Sequence, residues 1–132
     1  MNRIFVYGTL LIPAVMEAVT GKTFAFEHAT LPGYARYRIK GQTFPGITRV
    51  ENRHVKGIIY KAVDEPSLHR LDDFESDVYY RGQVKVTLEN GRRVSAHAYI
   101  MAPDHAGLLT DQHWDLEQFI QDHLCSYIKQ MK

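Results

Sequence analysis

Four carboxylates fall within six residues of one segment, LDDFESDVYYRG, which spans residues 71–82. Two tyrosines and Arg81 follow them. If the segment ends a helix, Glu75 comes directly after the inward-facing Phe74 and lies at the border of the core. Loss of solvent there raises the pKa of a glutamate from about 4.3 toward the value of about 6–7 that suits a general base. The pattern therefore makes Glu75 a candidate acid–base group, with Tyr79 close to it.

Two other interpretations of this acidic segment stay open. It is also typical of a solvated helix end at which Arg81 pairs with one of the acids. Clustered acids can bind hard cations, but the spacing differs from that of an EF-hand, whose ligands alternate around a central glycine. The seven histidines include no pair with the HExxH or HxxxH spacing of a helical metal site. We therefore expect no metal and read the histidines as surface or structural residues.

A second candidate site lies where the first strand ends, in FVYGTLLIP, residues 5–13. Gly8 can adopt backbone angles closed to other residues, and it lets a ligand approach the main chain. The N–H groups of Gly8, Thr9 and Leu10 could then converge on a carboxylate or on a developing oxyanion. A strand that ends at a glycine and turns explains the same residues. The segment is not a P-loop, because the second glycine and the Gly-Lys pair are missing.

Hydrophobic periodicity and turn residues predict the elements that must position these groups. The predictions are a strand over 3–8, a helix over 12–21, extended chain over 23–41, a strand over 54–63, a helix over 64–75, a hairpin over 83–101 that turns at Asn90-Gly91, and a helix from about Asp111. This order indicates an α+β chain whose strands curl into a small barrel or a strongly bent sheet. Strand–helix–strand alternation is too sparse for a doubly wound fold.

Local signals refine this outline. Asp64 can cap the helix over 64–75, and Gly57 predicts a bulge or a close backbone approach. The loop QTFPGI, residues 42–47, could wall a pocket or could simply turn the chain. The last helix carries one apolar stripe, which favours a lid on the core over a surface for a partner. The stripe consists of Leu116, Phe119, Ile120, Leu124, Tyr127, Ile128 and Met131.

The composition narrows the class of protein. A chain of 132 residues has the size of one domain, and its net charge of +1 gives no electrostatic signature of nucleic acid or membrane binding. The single cysteine, Cys125, excludes an intrachain disulfide, and its apolar surroundings predict a small buried side chain. No segment approaches the ~20 apolar residues of a membrane helix. We expect a cytoplasmic protein, and the sequence makes no prediction of its oligomeric state.

Taken in order, these motifs resemble the gamma-glutamylcyclotransferase-like family, also called AIG2-like. The segments that carry the likeness are IFVYGTL, FPGI, VKGIIYKAV, LDDFESDVYYR and AHAYIM, between about residues 3 and 102. YGTL alone is common, but YGTL followed about 65 residues later by LDDFE and a Y.R pair is fairly specific.

The resemblance implies a small mixed β-barrel with flanking helices and an enzyme that uses no cofactor. The implied reaction is intramolecular: the α-amine of a γ-glutamyl amide attacks its own δ-carbonyl, releasing an amine and leaving 5-oxoproline. By position, Glu75 is the implied acid–base residue, and the loop Tyr7-Gly8-Thr9-Leu10 holds the γ-glutamyl group. Tyr79 and Arg81 match the family pattern after the glutamate and are implied substrate-binding residues.

The chain departs from the family pattern in places. Ser76 stands where many members have glycine, Leu11 stands where a polar or basic residue is frequent, and the helix from Asp111 has no strong counterpart. These differences leave the substrate amine open: an amino acid, the ε-nitrogen of lysine, a polyamine or another alkylamine. They also keep alternatives in view, namely a domain that binds a small ligand or regulates without turnover, and an enzyme acting on a different amide or ester.

Overall fold

The computed structural model describes the backbone of residues 2–131 and the side chains of residues 2–129. Within those residues the chain forms six strands and four α-helices. In chain order they are β1 (Asn2–Val6), α1 (Pro13–Thr20), β2 (Phe26–Ile39), β3 (Pro45–Val63), α2 (Glu65–Glu75), β4 (Tyr79–Leu88), β5 (Arg93–Met101), β6 (Leu109–His113), α3 (Leu116–Asp122) and α4 (Leu124–Met131). Short 3-10 turns follow β1, α2 and β5.

Five of the strands close into a mixed β-barrel. The sheet order is β3-β1-β5-β4-β2-β6, and β2 pairs with β3 as well, which completes the ring and leaves β6 as an addition beside β2. The strands β1 and β5 are parallel, whereas the other pairs are antiparallel. The predicted barrel with flanking helices is therefore confirmed.

The chain has two apolar clusters, one inside the barrel and one between the barrel and the helices. Phe5 and Val86 belong to the inner cluster, whereas Ile4, Val6 and Leu68 belong to the outer one. Because successive residues of a strand point to opposite faces, β1 supplies side chains to both clusters. The end of β1 is thus the place where the two clusters meet.

Several local signals act as the sequence predicts. The Asp64 carboxylate accepts a hydrogen bond from the Ser67 N–H at 3.2 Å, which satisfies a free donor at the start of α2. Gly21 ends α1 with a φ of 75°, in the left-handed region. A Cβ at Gly57 would clash with the Val6 carbonyl oxygen, so the predicted close backbone approach is confirmed.

The strand β3 is longer than predicted, because it begins at Pro45 instead of at residue 54. Its pairing with β2 shifts in the middle: Pro32 faces His54, and Tyr34 faces Arg49. Residues 50–53 therefore bulge from the ladder. This bulge interrupts the alternation of buried and exposed residues. Hydrophobic periodicity therefore does not predict the first half of the strand.

The predicted single helix from about Asp111 is wrong in its first part, and its remainder is divided at His123 into α3 and α4. Residues 109–113 instead form β6, because β2 offers a pairing edge at Tyr37 and Ile39. The helix α3 follows and is capped by Asp115, whose side chain accepts a hydrogen bond from the Glu117 N–H at 3.0 Å. A pairing edge supplied by a distant strand overrides the local helical pattern.

Most of the apolar stripe of the last segment packs on the molecule, with Phe119 buried, but Ile120 is exposed. Leu124, Tyr127 and Ile128 pack against the outer apolar cluster, while the side chain of Met131 lies outside the described residues. Cys125 is exposed, so its prediction as a buried residue is wrong. No helix within residues 2–131 is long and apolar enough to cross a membrane.

Candidate active site

A cavity of about 260 Å³ opens at the end of β1, where the inner and outer apolar clusters meet. The chain after β1, the start of β3, the end of α2 and residues of β4, β5 and α4 surround it. Its lining residues are Phe5, Val6, Tyr7, Gly8, Thr9, Leu10, Phe44, Pro45, Phe74, Glu75, Ser76, Val78, Tyr79, Tyr99 and Tyr127. We call it the aromatic cavity.

Glu75 is the one carboxyl group among the described residues that line the aromatic cavity. It lies four residues after the buried Leu71, and this spacing places both side chains on one face of α2. Burial raises the pKa of Glu75 from 4.5 to about 8. Within the described part of the chain, its carboxylate forms no hydrogen bond and no ion pair. Glu75 can therefore exchange a proton near neutral pH with a molecule in the cavity.

The backbone after Glu75 is strained. Ser76 has a φ of 60° and a ψ of −164°, a region that is almost exclusive to glycine. Its N–H donates to the Asp72 carbonyl oxygen and closes the last turn of α2. This conformation explains why glycine suits a position directly after the glutamate.

The loop after Tyr7 presents its main chain to the cavity. A 3-10 turn over Thr9–Leu11 begins with the Leu11 N–H bonded to the Gly8 carbonyl oxygen at 3.0 Å. The N–H groups of Gly8, Thr9 and Leu10 donate to no residue in the described part of the chain, as expected for the first residues of a helical turn. All three residues line the aromatic cavity, so donors for a negatively charged group are available there.

Gly8 is needed for space. Its φ is −129°, outside the left-handed region. A Cβ at this position would lie 2.8 Å from Pro45 Cγ, far closer than van der Waals contact allows. The loop can therefore press against the start of β3, where Phe44 and Pro45 form a wall of the cavity. The FPGI loop thus does wall a pocket.

Four tyrosines surround Glu75. The Tyr7 hydroxyl donates to the Tyr99 carbonyl oxygen at 2.6 Å, and the Tyr79 hydroxyl donates to the Pro45 carbonyl oxygen at 2.5 Å. The Tyr127 hydroxyl lies 3.3 Å from Thr9 Oγ1. Burial raises the pKa of each of these tyrosines, and the nearby Glu75 charge adds to the effect. The phenols therefore stay neutral, and Glu75 is the lining group that titrates near neutral pH.

Arg81 lies elsewhere. Its Nε is 3.0 Å from Asp72 Oδ1, and the Tyr99 hydroxyl donates to the same oxygen at 2.7 Å. Arg81 is not among the residues that line the cavity. The interpretation in which Arg81 pairs with an acid of the helix matches this placement, whereas direct contact with a substrate does not. The pair instead ties β4 to the last turns of α2.

Sequence reasoning missed Arg36, Tyr99 and Tyr127. Arg36 Nη1 donates to the Tyr7 carbonyl oxygen at 2.6 Å and so supports the loop from behind. Tyr99 interrupts the apolar alternation of β5. A large aromatic residue on the outer face of a barrel strand is the sequence feature that could have identified it as a site residue. Tyr127 was noted only as part of the apolar stripe.

In the described part of the chain, no group of three or more His, Cys, Asp or Glu residues is arranged to hold a metal ion.

Comparison with known proteins gives the class of the molecule. Residues 4–116 match the family model described as "Gamma-glutamyl cyclotransferase, AIG2-like". The chain belongs to this family. It is also similar to AIG2-like protein D of Arabidopsis thaliana, with 30% identity over 138 residues that cover 100% of this chain and 88% of the relative.

Solved structures share the fold. A solution structure of an Arabidopsis thaliana protein superposes with a TM-score of 0.76 and 28% identity, over 98% of this chain and 78% of that one. A structure described as gamma-glutamyl cyclotransferase superposes with a TM-score of 0.69 over 98% of this chain and 85% of that one. At 18% identity, that second likeness shows the fold alone.

Proposed function

We propose that the protein is a γ-glutamylcyclotransferase that converts a γ-glutamyl amide to 5-oxoproline and a free amine. The observation that carries the proposal is a carboxyl group with a pKa of about 8 in a cavity that is also lined by three residues with free N–H donors. The family, described as "Gamma-glutamyl cyclotransferase, AIG2-like", supports this reaction class.

In the proposed reaction, the Glu75 carboxylate accepts a proton from the α-ammonium group of the substrate. The freed amine attacks the δ-carbonyl carbon and closes a five-membered ring, and enclosure in a small cavity favours this geometry. The carbonyl oxygen becomes an oxyanion, which the N–H groups of Gly8, Thr9 and Leu10 stabilise. The substrate's ammonium charge also favours the ionised form of Glu75.

The intermediate then collapses with cleavage of the original C–N bond. The ring nitrogen gives up two protons in the complete reaction, and the departing nitrogen gains two. Glu75 can transfer them in turn, so the carboxyl group ends in the state in which it began. No cofactor enters this proton balance.

The walls of the cavity suggest which amine leaves. Phe44, Phe74, Tyr79 and Tyr127 present aromatic surfaces, and the single lining carboxyl group adds negative charge. Aromatic faces attract apolar and cationic groups. The walls therefore suit an alkylamine or a polyamine better than an amino acid, which carries its own carboxylate.

The test is a substrate panel with an assay for 5-oxoproline. The panel contains γ-glutamyl amino acids, γ-glutamyl-ε-lysine and γ-glutamylamines. Glu75→Gln is compared with Asp73→Asn, which removes an exposed carboxylate from the same helix outside the cavity. We expect product from the wild type and from Asp73→Asn but none from Glu75→Gln. Substrate binding without product in the folded wild type would contradict the proposal and favour a ligand-binding domain.

A further inference from the structure

A second cavity, of about 230 Å³, lies on the β2–β3 hairpin, and we call it the basic pocket. Its lining includes three permanent cations: Arg36, Arg53 and Lys56. Arg36 comes from β2, whereas Arg53, at the end of the bulge over residues 50–53, and Lys56 come from β3. Both strands of the hairpin thus contribute positive charge to the pocket.

Two histidines and a tryptophan complete the polar lining of the basic pocket. His54 follows the bulge, and His113 ends β6. Trp114 is buried as a wall, and its ring nitrogen donates to the Thr43 carbonyl oxygen at 2.7 Å. Every charged side chain that lines this pocket is basic.

Arg36 is the most buried of the three cations, whereas Arg53 and Lys56 are exposed. The Arg36 guanidinium is half-buried, lies 5.4 Å from the Trp114 ring centroid, and donates one hydrogen bond, to the Tyr7 carbonyl oxygen. Within the described part of the chain it forms no ion pair, although the Asp115 charge favours its charged form. A guanidinium carries five N–H donors, so most of them are free for a ligand.

We propose that the basic pocket binds the phosphate dianion of a small phosphorylated molecule. A phosphate carries close to two negative charges at neutral pH and three acceptor oxygens. Three cations match this double negative charge better than they match the single charge of a carboxylate. The planar guanidinium of Arg36 matches two phosphate oxygens at once, while Lys56 supplies a compact charge. Trp114 offers an apolar surface to the organic part of the ligand.

The chain supplies its own probe, because Trp114 is its only tryptophan. Sodium phosphate and glycerol 3-phosphate are titrated separately at constant ionic strength, and Trp114 fluorescence and heat release are both followed. We expect saturable binding with a Kd near or below about 1 mM. Tighter binding of glycerol 3-phosphate identifies an organic phosphate as the ligand, whereas equal affinity identifies free phosphate.

Two double variants separate a site from general electrostatic attraction. Arg53→Ala with Lys56→Ala removes two cations from the pocket and should raise the Kd at least about tenfold. Lys85→Ala with Arg93→Ala removes two exposed cations of β4 and β5 and should change the Kd less than about twofold. Equal weakening in both double variants, or no saturable signal by either method with either phosphate, would overturn the proposal.

Discussion

The aromatic cavity and the basic pocket are each built around one partly desolvated charge. Glu75 occupies the first and Arg36 occupies the second, and within the described residues neither forms an ion pair. Burial disfavours the charged form of both: it raises the pKa of Glu75 and lowers that of Arg36. The same physical cause acts with opposite sign on an acid and on a base.

The consequences differ because the two groups start from different pKa values. A shift from 4.5 to about 8 brings Glu75 into the neutral range, so it can gain and lose a proton during a reaction. A guanidinium starts so far above neutral pH that it keeps its charge. Burial therefore prepares Glu75 for the proposed proton transfer, whereas Arg36 stays a permanent cation in the proposed phosphate site.

Tyr7 joins the two regions. Tyr7 is among the residues that line the aromatic cavity, and its carbonyl oxygen accepts the hydrogen bond from Arg36 at 2.6 Å. A change at Arg36 therefore reaches the main chain next to Gly8, whereas a change at Glu75 stays inside the aromatic cavity. Substitutions of Glu75 and Arg36 can therefore test whether the two residues have different roles.

The largest effect is expected for Glu75→Gln on turnover. Removal of a general acid–base group costs about 10²–10⁴ in rate, and glutamine keeps the shape of the side chain. The measurement is the rate of 5-oxoproline formation, with circular dichroism to confirm folding. A loss below about tenfold would show that another group moves the proton.

The next effect is the pH dependence of turnover. If the reactive form is the Glu75 carboxylate, kcat/KM should fall about tenfold for each pH unit below the pKa of about 8. Because half of the group is ionised at pH 8, we expect a loss of about fiftyfold between pH 8 and pH 6. An acid limb centred near pH 4.5 would mean that burial does not shift this group.

The same carboxyl group predicts a pH-dependent change in stability. Its pKa in the folded protein lies above its pKa in the unfolded chain, so folding favours the protonated form. The resulting contribution to stability is complete below pH 4.5 and is lost as the pH rises to about 8. Compared with Glu75→Gln, the wild type should therefore lose Tm progressively over this window. Parallel Tm profiles of the two proteins would contradict the expectation.

A smaller effect is expected for Arg36→Met on folding. The change leaves the Tyr7 carbonyl oxygen without its partner, which should lower the free energy of unfolding by about 1–3 kcal/mol. Arg49→Met is the matched control, because Arg49 also lies over an aromatic ring, that of Tyr34, but donates no hydrogen bond to the described main chain. Urea unfolding measures both. Equal losses would assign the effect to the ring contact.

The smallest effect is expected for Ser76→Gly, and its sign is opposite. Glycine removes the strain of a φ of 60° but gains freedom in the unfolded chain, which leaves a net stabilisation of about 1 kcal/mol. Asn52→Gly, at a φ of 62°, should gain less because asparagine tolerates the left-handed region. Thermal unfolding compares the two variants. A destabilised Ser76→Gly would mean that the serine side chain holds the turn.

The predictable parts of the molecule are those that local chemistry decides. Asp64 caps α2 because its carboxylate reaches the Ser67 N–H, and the order Leu71, Phe74, Glu75 already places the glutamate beside the core. These features depend on residues within one or two helical turns. The candidate position of Glu75 could therefore be predicted from the sequence.

The remainder depends on contacts between distant parts of the chain. The strand β6 exists because β2 offers an edge, and Arg36 acquires its role only when β2 passes behind Tyr7. Tyr127 enters the cavity because α4 folds back to within hydrogen-bond distance of Thr9. No local pattern carries such information. The basic pocket is invisible for the same reason, since its cations come from different strands.

The parallel pairing of β1 with β5 has a consequence for the order of folding. The bond from the Tyr7 hydroxyl to the Tyr99 carbonyl oxygen joins residues 92 positions apart, so it requires closure of a very long loop. The β2–β3 and β4–β5 hairpins can form early, because their partners are near in sequence. The walls of the aromatic cavity come together only when β5 meets β1. A ribosome must therefore release most of the chain before the cavity can exist, and partly folded molecules lack it.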